Sequence, residues 1–93
     1  MTRDYGEYNV GFGSLAGTLL YEDQKGNVAF IFDISPSSIP GKEWTLELSP
    51  SPRDRDGKLT QNEPQWDQKW VLKAFERTKG YAISCGYDVR VSD

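Results

Sequence analysis

The chain has 93 residues, a formal net charge of −3, one cysteine and no histidine. The missing histidine removes Ser-His-Asp and Cys-His catalysis and imidazole-ligated metal sites. The mild acidity argues against duplex DNA as a partner, which needs a basic face to displace counterions. The length suits a single domain over 1–93 with one modest core. No apolar run reaches the roughly 20 residues of a membrane span, and no charged and then hydrophobic leader opens the chain. No membrane association and a cytoplasmic location are the resulting expectations.

Residues 1–7 are polar and are expected to fray, with Tyr5 and Tyr8 as anchors. Tyr8, Val10 and Phe12 alternate, and Leu15, Leu19 and Tyr21 recur out of phase with them. Gly11, Gly13 and Gly17 stand where the phase changes. This predicts two short strands with a bend, or one strand with a bulge. The same glycines superficially match a dinucleotide-binding loop. That loop needs a helix after it, and Thr18-Leu19-Leu20-Tyr21 is strand-like instead.

A polar turn at 22–27 precedes the apolar run Val28–Ile34, so the two flanking segments read as a hairpin with a central second strand. Pro36, Pro40 and Gly41 define a loop. Trp44, Leu46 and Leu48 then alternate with Thr45 and Glu47 as a half-buried strand. Residues 49–62 form a long charged, proline-containing loop. With Gly57 at the glycine position of a calcium loop, Asp54, Asp56, Leu59 and Glu63 fall in register. The first ligand position is then Pro52, which has no side-chain oxygen, so a solvated charged turn is the better reading.

Pro64 favours a first helical position, and an amphipathic helix is predicted over 64–79, with Gly80 as its stop. Tyr81, Ile83, Cys85, Tyr87, Val89 and Val91 then alternate with smaller or polar residues, predicting a long final strand. Cys85, on the apolar side of that strand, is expected to be a buried thiol. On the helix, Val71, Ala74 and Phe75 point inward, bordered by Trp70 and Leu72, while Lys69, Lys73, Glu76 and Arg77 point outward. Trp66 falls among those charges. It either packs against the long loop beneath lysine stems or anchors a partner, because Trp and Arg dominate interface hot spots.

The expected fold is α+β: a small, mostly antiparallel sheet of four to five strands with one helix across one face, in the order β-β-β-β-α-β. The expected function is non-enzymatic protein binding by stoichiometric association, in the manner of immunity proteins or phage inhibitors. The partner would meet Trp66, Trp70, Lys73 and Arg77, or a sheet edge, through which a homodimer could also form. One alternative is single-stranded nucleic-acid binding on Phe30, Phe32, Tyr81 and Tyr87. Another is a carboxylate metal or acid–base site at 53–63, using Asp54, Asp56 and Glu63, with Asp33 noted as an odd charge in an apolar strand. No cofactor, metal ligand or catalytic residue is assigned.

Overall fold

A computed structural model describes residues 2–13, 17–53 and 66–92. These form strands β1 (Thr2–Asp4), β2 (Tyr8–Phe12), β3 (Thr18–Asp23), β4 (Gly26–Pro36) and β5 (Trp44–Leu48), then helix α1 (Gln68–Ser84) and strand β6 (Asp88–Val91). The class is α+β, as expected. The sheet has six strands in sequence order, and β1 to β5 form an antiparallel meander. The helix crosses over to return β6 parallel to β5. The added strand is β1: the stretch expected to fray pairs with β2, and Asp4 accepts the Gly6 backbone N–H at 2.8 Å to close the turn between them.

The out-of-phase pattern around the early glycines corresponds to two strands, β2 and β3. Gly13 N–H donates to the Thr18 carbonyl at 2.9 Å, and a Cβ on Gly13 would lie 2.5 Å from Thr18 Oγ1, so any side chain there would force the buried Thr18 hydroxyl to move. The 11-residue β4 is the spine of the sheet. Its first half pairs with β3 and its second half with β5. Residues 49–53 of the long loop are described, and Arg53 bridges back to Ala29 of β4. The remainder of that loop, with the calcium-like spacing, the carboxylates Asp54, Asp56 and Glu63, and Pro64, lies outside the described residues.

The helix differs from expectation at both ends. It starts after Asp67, whose carboxylate accepts the Lys69 N–H as an N-cap, so Trp66 precedes the helix. At the other end Gly80 is inside it. The stop is Gly86 at φ +97°, where Gly86 N–H donates to the Ile83 carbonyl and Tyr87 N–H to that of Ala82. These are the two bonds of a Schellman cap. Trp70, Ala74, Phe75, Thr78, Tyr81 and Ala82 make one buried stripe at helical spacing. Extending an existing helix costs far less than nucleating one, so this stripe outweighs a glycine penalty of about 1 kcal/mol. The long final strand is thereby reduced to Asp88–Val91, and Cys85 becomes an exposed helix C-cap instead of a buried thiol.

The core lies between the helix and one sheet face. Val10, Leu19, Tyr21, Val28, Phe30, Leu46 and Leu48 are fully buried there. Thr78, the one buried polar side chain on the helix, donates to the Ala74 carbonyl at 2.7 Å and so leaves no unmet hydroxyl.

Candidate functional site

The helix meets the β1–β2–β3 corner through a column of aromatic rings. Tyr5 stacks on Tyr8 with centroids 4.7 Å apart, Tyr8 on Tyr21 at 5.5 Å, and Tyr21 meets Trp70 edge-on at 5.9 Å. The Arg77 guanidinium lies over the Tyr8 ring at 4.2 Å, a cation–π contact. It also donates to Tyr21 Oη at 2.9 Å. Tyr21 in turn donates to Asp23 Oδ2 at 2.7 Å, and Trp70 Nε1–H donates to the same oxygen at 2.8 Å. Asp23 Oδ1 accepts the Lys25 N–H at 2.7 Å.

This relay shifts two groups in opposite directions. Burial pushes the Tyr21 hydroxyl up to about 12, aided by its hydrogen bond to Asp23 and opposed by Arg77. Burial also pushes Asp23 up, but hydrogen bonds from Tyr21, Trp70 and the Lys25 and Gly26 backbones outweigh it and hold the carboxyl below its usual range. The relay is therefore a neutral phenol held by a carboxylate, with the Tyr21 hydroxyl and the Trp70 indole N–H both matched. It fixes the helix to the β3–β4 turn. Arg77 also pairs with Glu7 at 3.6 Å, but the Glu7 side chain is 86% exposed, and such a pair contributes little.

The four residues expected to bind a partner have different fates. Trp66 is half-buried against the core, ahead of the helix. Trp70 is only 7% exposed, with its indole N–H committed to Asp23, so both its area and its donor are internal. Arg77 is half-buried and joins Tyr8, Tyr21 and Glu7. Lys73 alone is exposed, and its ammonium has no hydrogen bond or ion pair with the described residues. Trp70, Lys73 and Arg77 do meet around one cleft of about 580 Å³, whose wall also includes Lys25 and Lys69. Lys73 and Arg77 also line a second cleft of about 680 Å³ with Arg3, Tyr5, Tyr8 and Tyr81.

No protein-family model matches the chain, and no curated protein or solved structure shows significant similarity to it.

The sequence reading missed Tyr5, Tyr8, Tyr21 and Asp23 as one group. A signal existed: Tyr21 and Asp23 are two apart on a strand and therefore share a face. Assigning Asp23 to the turn hid it. Of the four aromatics considered for bases, Phe30 is fully buried, Phe32 and Tyr81 are core residues with Tyr81 on the helix, and Tyr87 is half-buried against the core. Asp33 is exposed on the face away from the helix, opposite Glu47. Among the described residues no three of His, Cys, Asp and Glu gather as a metal site, and no helix is long and apolar enough to cross a membrane.

Proposed function

We propose that the chain is a non-enzymatic protein-binding module, and that its partner presents an acidic segment to the outer face of α1. The observation that carries this reading is Lys73: an exposed ammonium without a partner among the described residues, standing between two clefts. Its surroundings suit that role. Arg77 and Tyr8 hold each other rigidly beside it, so their contact surface is ordered before a partner arrives, which lowers the entropy cost of association. Arg3, Lys73 and Arg77 against Glu76 give the second cleft a positive bias within an acidic chain. Such complementarity contributes most to approach rate and partner choice. Trp70, itself a core residue, supports the wall of the first cleft.

The test is parallel affinity capture from native lysate with the wild type and Lys73→Glu under matched salt. A protein retained by the wild type and released by the variant, with the unfolding midpoint unchanged, supports the helix face. Equal retention by both removes Lys73 from the interface.

A further inference from the structure

The outer edge of β6 is complementary to itself, and we infer that two copies of the chain pair there, β6 against β6, antiparallel about a twofold axis at Val89. This inference concerns a different surface and does not rest on the helix-face reading.

The backbone supplies the first argument. Ser92 N–H donates to the Leu48 carbonyl at 3.0 Å, so Ser92 turns its peptide groups toward β5. Alternate residues of a strand point their N–H and C=O to opposite sides. Asp88 and Arg90 therefore also face β5, and Val89 and Val91 direct their N–H and C=O outward. No strand of the described residues pairs on that side. With Val89 opposite its own copy, the two valines exchange both of their hydrogen bonds. Val91 N–H then meets the Tyr87 carbonyl of the other copy, twice by symmetry.

The side chains supply the second. In this register Asp88 of each copy stands opposite Arg90 of the other, at the closer-spaced positions of an antiparallel ladder, about 4.5 Å between Cα atoms. The Arg90 side chain is 60% exposed, and its contact with its own Asp88 is a long 3.5 Å from Nε to Oδ2. Thr45 Oγ1 donates to that same Oδ2 at 3.0 Å, which leaves Oδ1 for the incoming guanidinium. On the other face, Val89 meets Val89, and Val91, 46% exposed, meets Tyr87. A two-residue slip in either direction sets Asp88 against Asp88 or Arg90 against Arg90. A one-residue slip sets charged residues against apolar ones and turns the two helices to opposite faces. Only the Val89-centred register satisfies charge and backbone together, and it has the reciprocity that an isologous dimer requires.

Sedimentation equilibrium over a concentration series tests this on the full chain. The wild type is expected to dimerise reversibly. Arg90→Asp places like charges opposite each other twice and should weaken the dimer roughly tenfold or more. The swap Asp88→Arg with Arg90→Asp should restore it. Val89→Pro removes only an outward-facing donor, so it should be monomeric with an unchanged circular dichroism spectrum. A wild type that stays monomeric into the high micromolar range overturns the proposal. So does a dimer indifferent to both Arg90→Asp and Val89→Pro, the two variants that leave the Thr45–Asp88 bond in place.

Discussion

Two ends of this small sheet treat their side chains in opposite ways. At the β1–β3 corner, rings and polar groups are directed at one another: Arg77 onto Tyr8 and Tyr21, Tyr21 and Trp70 onto Asp23. At the β4–β6 end, Ile34 and Trp44 remain 43% and 46% exposed on the helix side of the sheet, and the outer edge of β6 is open among the described residues. The position of the helix accounts for the difference. Its buried stripe reaches Tyr21 through Trp70 and Phe30 through Phe75, and Ile34 and Trp44 lie outside the buried cluster. One end ties its rings and polar groups to one another, although β1 too keeps an unpaired outer edge among the described residues, and the other leaves more apolar area exposed beside its open edge.

Substitutions should separate the two ends by size of effect. The largest belongs to the shared core: Phe30→Ala deletes a fully buried ring packed on Phe75 at 5.3 Å, and should cost about 3–5 kcal/mol by denaturant titration. At the closed corner, Asp23→Ala leaves the Tyr21 hydroxyl and the Trp70 indole without their acceptor, at a cost of about 1–3 kcal/mol.

The same corner fixes the pH response. Asp23 is held below its usual range, so its contribution is present above the unfolded pKa and is lost as pH falls through the folded one. Tyr21 and Tyr81 are each raised from 10.0 to about 12, so their contribution is complete below 10 and is lost as pH rises through about 12. Unfolding midpoints across pH should therefore fall at both extremes, and Asp23→Asn should flatten the acid limb.

Smaller effects sharpen the contrast. Gly80 is helical, and a Cβ there meets open space, so Gly80→Ala should gain about 0.5–1 kcal/mol. At the open end, Trp44→Ala should change stability by no more than about 0.5 kcal/mol, although it deletes the largest kind of side chain. A large loss there would mean that Trp44 is structural and that the end is closed after all.

The sequence was most legible where periodicity and burial agree. Val28 to Ile34, Trp44 to Leu48 and the turn between β3 and β4 are placed as their alternation and turn residues require. It misled where two periods fit one stretch. Tyr81, Ile83 and Cys85 alternate like a strand, yet Tyr81 and Ala82 continue the stripe from Trp70 and Ala74, and tertiary burial decides between them. Gly80 looked like a stop because a local signal cannot show the Gly86 cap further on. The corner was legible only in part. Trp70 and Arg77 were found by helical spacing, but their partners Tyr8, Tyr21 and Asp23 lie 47 or more residues away, and only sheet pairing brings them near.

Amide hydrogen exchange in dilute solution tests the contrast between the two ends most directly. The account predicts slow exchange, close to the global unfolding limit, for Leu19 and Tyr21 in β3, and fast exchange for the outward N–H groups of Val89 and Val91, slowing as protein concentration rises. Val89 and Val91 amides as protected as those of β3 at the lowest concentration would contradict it.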